Sequence, residues 1–168
     1  MNNLTLLAFC LALACYAVAF WLLMRQQARR SQDVLAAGDD NTSTGLNSAL
    51  VIALMGLLGH WVVTQNSLIQ FGSTSTLTLS LLGVSNLVVT VMLLVVAMSS
   101  IKVKADGLLL LLLPFVMINL LGLIAVAPGH TQPIPLDSSQ ISHILLSISA
   151  YAALMTAALQ SVLIAVQE

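Results

Sequence analysis

Ile141-Ser142-His143-Ile144-Leu145-Leu146-Ser147-Ile148-Ser149-Ala150-Tyr151-Ala152-Ala153-Leu154 opens an apolar run that continues to about Val166. Such a run exceeds the roughly 20 residues that an α-helix needs to cross a hydrocarbon core. His143 stands at its mouth. Ser147 and Tyr151 follow at i+4 and i+8, so the three side chains share one helical face. The reading that decides the fold is therefore a membrane-spanning helix carrying a polar stripe.

The rest of the chain is built the same way. Of 168 residues, 59% are hydrophobic and 7% are charged, with a mean hydropathy of +1.03. A soluble domain carries about 25% charged residues, so this composition cannot cover a water-facing surface. The lipid bilayer is the expected solvent. The net charge of −1 excludes nucleic acid as a partner, because neutralising phosphates takes clustered Lys and Arg. Cys10 and Cys15 lie in the first apolar run, not in a C-x-x-C pair, and read as small apolar residues.

The apolar runs predict an all-α polytopic membrane protein, a single domain of five transmembrane helices over about 4–24, 49–64, 77–99, 108–127 and 141–166. The first run lacks a basic leader segment and a small-residue cleavage site, so it is expected to be retained. Residues 25–47 are expected as a cytoplasmic polar loop and Gln65 to Thr76 as an uncharged loop or short interfacial piece. Pro128 to Ser139, with Pro133 and Pro135, is expected as a rigid extended connection. All five Lys and Arg residues fall in the loops after the first and third spans. The positive-inside rule then puts the N-terminus outside and the C-terminus in the cytoplasm.

That topology brings the chain's three histidines to the external side: His60 near the end of span two, His143 at the mouth of span five, and His130 in the loop between spans four and five. Two readings of the first two stand side by side. They are interfacial residues bonded to water or headgroups, or they are imidazoles on two helices that could ligate haem iron or another metal. Trp61, Ser147, Tyr151 and Asn86 are the candidate supporting residues, with Asn119 a further amide facing the interior. Asn86 and Asn119 read most simply as interhelical hydrogen-bond partners, worth about 0.6 kcal/mol each. Gly56, Gly59, Ala153 and Ala157 would permit close helix approach. Met92, Met98, Met117 and Met155 are scattered and read as filler. No phosphate loop, nucleophile elbow, zinc-protease motif or acidic cluster is present in the sequence, and no carboxylate lies within a span, which argues against a proton-coupled transporter.

His143-Ile-Leu-Leu-Ser147-Ile-Ser-Ala-Tyr151-Ala-Ala-Leu-Met-Thr-Ala-Ala158-Leu-Gln160 resembles the H-x-x-L-S-x-x-x-Y-A helix of the cytochrome c assembly family. The closer likeness is to its YpjD- and HemX-like inner-membrane branch, related to the CcsA/ResC haem-handling proteins. Gly59-His60 is similar to that branch's histidine helix, and Leu79-Ser80-Leu81-Leu82-Gly83-Val84-Ser85-Asn86-Leu87 to the stretch opening its next span. Pro114, Asn119 and the proline-containing outer loop fit as well.

The resemblance implies a multi-pass protein of the bacterial inner membrane that handles haem during cytochrome c biogenesis. It makes His60 and His143 candidate ligands of a haem b iron, with other maturation subunits as partners. Family members carry several further helices and, in the synthases, a tryptophan-rich external segment. A complete haem-attachment activity is therefore not expected of this chain alone, nor is it expected to be an enzyme. The alternative is a cofactor-free membrane scaffold or regulatory subunit that stabilises a partner complex.

Overall fold

A computed structural model describes residues 3–36, 48–70, 76–78, 81–102, 106–125, 133–135 and 138–167. It contains five long helices: α1 (Asn3–Ala36), α2 (Ser48–Leu68), α3 (Leu81–Lys102), α4 (Asp106–Ala125) and α5 (Ser138–Gln167). Each is long and apolar enough to cross a membrane, so the chain is an all-helical, multi-pass type of protein.

The three largest boundary differences from the sequence expectation lie at the ends of α1 and α2 and the start of α3, and α5 starts at Ser138, within the expected extended connection. α1 does not stop at residue 24 but runs to Ala36, taking in the first part of the expected polar loop. Residues 25–36 hold no Gly or Pro and are rich in Arg, Gln and Ala, good helix formers that need no apolar surroundings. Arg25 lies over the Trp21 ring at 4.4 Å, a cation–π contact where the apolar stretch gives way to the basic one. α2 likewise continues past residue 64 to Leu68. Span three begins at Leu81 instead of residue 77.

Three short strands lie between the helices, β1 (Ile69–Gln70), β2 (Thr76–Thr78) and β3 (Pro133–Pro135); Leu77 and Thr78 of β2 were expected as the start of span three. They make one antiparallel sheet in the order β1-β2-β3. Ile69 pairs with Leu77, and Leu77 with Ile134. The two prolines of β3 lack N–H groups, which suits a strand at a sheet edge. Because β1 and β2 join α2 to α3 while β3 joins α4 to α5, the sheet ties both connections together at one end of the bundle.

α3 is the central helix, packing on α2, α4 and α5, while α1 lies against α2 and α4. α1 buries Ala12, Tyr16, Ala19 and Leu23, a stripe at helical spacing. α4 buries Leu108, Leu109, Leu112, Leu113, Val116 and Leu120 despite Pro114 within it. A proline is tolerated in a membrane helix because neighbouring groups can satisfy the freed carbonyl.

The α1–α2 contact depends on two glycines. A Cβ added at Gly56 would lie 2.7 Å from the Tyr16 ring, and one at Gly59 would lie 2.9 Å from the Ala8 carbonyl oxygen. α5 is covered least, with 11% of its span buried against 44% for α2 and α3. Among its described residues the buried hydrophobics are Ile148 and Ala152, whereas Leu145, Leu146, Tyr151, Leu154, Val162 and Ile164 are exposed.

Candidate functional site: two histidines in opposite settings

His60 is fully buried, eight residues before the end of α2 at Leu68, or roughly 12 Å at 1.5 Å per residue. Its ring meets α1 on one side and α3 on the other. Nδ1 lies 3.0 Å from the Tyr16 hydroxyl, and the two rings meet edge to face with centroids 5.8 Å apart. Nε2 lies 2.9 Å from Asn86 Oδ1 and 3.3 Å from Thr90 Oγ1.

The surrounding bonds fix the direction of each. The Thr64 hydroxyl donates to the His60 carbonyl at 2.9 Å, using its one proton. Its oxygen must then accept from Asn86 Nδ2, 2.7 Å away. That orients the Asn86 amide so that Oδ1 faces Nε2 and accepts from it. Nε2 therefore carries a proton; with no carboxylate among the described residues facing the ring, this apolar interior keeps the imidazole neutral, and its bare Nδ1 accepts from Tyr16. The Thr90 hydroxyl donates to the Asn86 carbonyl at 2.8 Å, leaving its oxygen available to Nε2–H.

Sequence reading singled out His60 and Asn86, which the structure brings into contact. It missed Tyr16, Thr64 and Thr90. Thr64 and Thr90 each lie one turn beyond a buried polar residue, the spacing at which a hydroxyl returns to the i−4 carbonyl; that spacing was the available signal. Tyr16 gave none, since a tyrosine in a greasy span reads as ordinary aromatic filler. The small residues opposite it, Gly56 and Gly59, sit one helix away.

His143 is in a different setting. It lies five residues after the start of α5 at Ser138 and is exposed. Among the described residues it shares no hydrogen bond or ring contact with His60. Ser147 donates to the His143 carbonyl at 2.8 Å, so its hydroxyl serves its own helix. Tyr151 is 61% exposed and Trp61 48% exposed. Neither supports His60; adjacent residues on a helix diverge by about 100°, which turns Trp61 away from its buried neighbour. Ala153 and Ala157, candidates for close packing, are exposed too. His130 lies outside the described residues.

Asn119 donates from Nδ2 to Ser85 Oγ at 2.8 Å, joining α4 to α3. Its Oδ1 is buried and has no hydrogen-bond partner among the described residues. No group of three or more His, Cys, Asp or Glu suited to a metal ion occurs among the described residues, and Cys10 and Cys15 are free thiols.

An imidazole binds iron through an unprotonated ring nitrogen whose lone pair is open. His60 does not fit that role here. Nδ1 is occupied by Tyr16, and Nε2 carries the proton. His143 fits as a single accessible imidazole. In comparisons with known proteins, no family model, curated protein or solved structure matches the chain.

Proposed function

We propose that this chain is a haem-handling integral membrane protein serving cytochrome c biogenesis, with haem b held as cargo through His143. The reading includes the bacterial inner membrane as its location and an external N-terminus. The observation that carries it is an exposed imidazole at the mouth of α5, the helix with the smallest buried share of its span. A porphyrin is a flat, largely apolar ring around a metal that takes nitrogen ligands, and an apolar wall beside an imidazole suits both features. The likeness of the His143–Gln160 segment to the cytochrome c assembly helix supports the same reading. The redox chemistry belongs to the haem; the protein contributes a ligand, a wall and a place in the membrane.

The topology rests on charge. Arg25 and Arg29 follow the apolar part of α1, and the remaining basic residues cluster beyond it and after span three. α1 and α3 run toward these basic residues at the end of the bundle opposite the β1–β3 sheet, and the positive-inside rule supports a cytoplasmic placing of that end. Cysteine-accessibility labelling at engineered sites in the two kinds of loop would test this. Labelling of the β2 side from the cytoplasm alone would reverse it.

The haem reading is tested by absorbance of the protein purified after haem-replete expression. A Soret band that is lost in His143→Ala supports it, and a colourless wild-type protein refutes it. A second reading is favoured by the closed network around His60: a cofactor-free scaffold whose buried polar groups set helix packing and whose α5 meets a partner subunit. It accounts for a colourless protein that nevertheless co-purifies with other membrane subunits.

A further inference from the structure

We infer that His60 is the centre of a buried polar lock joining α1, α2 and α3, and that it takes no part in holding haem. The first half stands on the structure's geometry alone; the second rests on the haem reading above.

The lock is closed in the sense that each polar atom on the ring has one assigned role. Thr64 donates to the His60 carbonyl, Asn86 Nδ2 donates to Thr64, and His60 Nε2 donates to Asn86 Oδ1. The Tyr16 hydroxyl donates to Nδ1. No lone pair on the ring is left for a metal. The backbone is fitted to this arrangement. The missing side chain at Gly56 leaves space for the Tyr16 ring, and that at Gly59 lets the Ala8 carbonyl approach. α1 therefore lies near enough to α2 for the phenol to reach across.

Such a network is self-reinforcing in an apolar medium. Removing any one member strands a buried donor or acceptor where no water replaces it. It also makes register specific, because a one-turn slip of α1 along α2 would separate Tyr16 from His60 and drive a side chain onto Gly56 or Gly59. A ligand site needs the opposite property: a ring nitrogen left open until the metal arrives.

The test is a double-mutant cycle in detergent, combined with absorbance. Tyr16→Phe removes one hydroxyl and keeps the ring that fills the space at Gly56, so it is expected to fold. Thermal midpoints should fall by about 1–2 °C in Tyr16→Phe and further in His60→Ala. The double variant should be no worse than His60→Ala, since Tyr16 contributes through His60. In the folded fraction of His60→Ala, the Soret absorbance per protein should match wild type.

Additive midpoint changes, or an unchanged midpoint in His60→Ala, would overturn the lock. A folded His60→Ala variant that has lost its Soret band would overturn the exclusion of His60 from the haem site. A colourless wild type would remove the haem reading, and the cycle would still decide the lock. Nitrogen-15 shifts of labelled histidine give an independent check. One neutral Nε2–H ring unaffected by added haem is expected; perturbation of that ring's nitrogens by haem would contradict the inference.

Discussion

His60 and His143 look alike in the sequence, each an imidazole near the end of an apolar span, and the folded chain treats them oppositely. Around His60, the two flanking helices α1 and α3 supply partners to both ring nitrogens, and no surface is exposed. At His143, one lightly covered helix presents the ring outward. The difference lies in the neighbours. α2 is flanked by α1 and α3 and carries glycines that draw α1 close, whereas α5 rests on α3 and, more lightly, on α4. A buried imidazole with both nitrogens bonded contributes to structure, while an exposed one is available to a ligand.

Substitutions can break this contrast at several points. The largest effect is expected from Gly59→Leu. Its Cβ would meet a backbone oxygen at 2.9 Å, and the rest of the side chain would push α1 away. A loss of about 3 kcal/mol, or failure to accumulate in the membrane, follows from overpacking of this kind, measurable by SDS-induced unfolding in mixed micelles. His60→Ala should cost about 2 kcal/mol, because it leaves the Tyr16 hydroxyl and Asn86 amide unpaired in an apolar interior.

Tyr16→Phe removes a single interhelical hydrogen bond, and about 0.6 kcal/mol is expected by the same assay. Asn119→Leu removes one bond to Ser85 and also one partnerless buried oxygen. These oppose each other, so stability should stay within roughly 0.5 kcal/mol of wild type. His143→Ala should lie within the same narrow range, as an exposed side chain with no hydrogen-bond partner among the described residues. If His143→Ala destabilised the protein as much as His60→Ala, the distinction between a sealed and an open imidazole would be lost.

The five spans were legible because long apolar runs separated by polar stretches leave few alternatives in a bilayer. Their ends were less so. Residues 25–36 are polar enough to read as loop yet form helix, since helix propensity does not require burial. Leu77 and Thr78 look like the start of span three but pair with Ile134 and Pro133. Strands two or three residues long are too short for a period-2 pattern, and β3 lies more than fifty positions from its partner β2.

The site was legible in part. His60 and Asn86 stood out as polar residues in apolar spans, but which polar group meets which depends on the relative register of helices. No local pattern encodes that. Tyr16 belongs to the network through a contact across α1 and α2 that the two glycines allow. His60 and His143 were also both read as lying toward the external side. In the folded chain His60 sits eight residues inside its helix end and His143 five, and helix packing, more than depth, separates their roles.

The most direct measurement is haem absorbance of two purified variants, His60→Ala and His143→Ala, each normalised to folded protein. Loss of the Soret band in His143→Ala with retention in His60→Ala is the expected result. Retention in His143→Ala with loss in a folded His60→Ala would contradict the assignment of His143 as the open ligand and His60 as the sealed one.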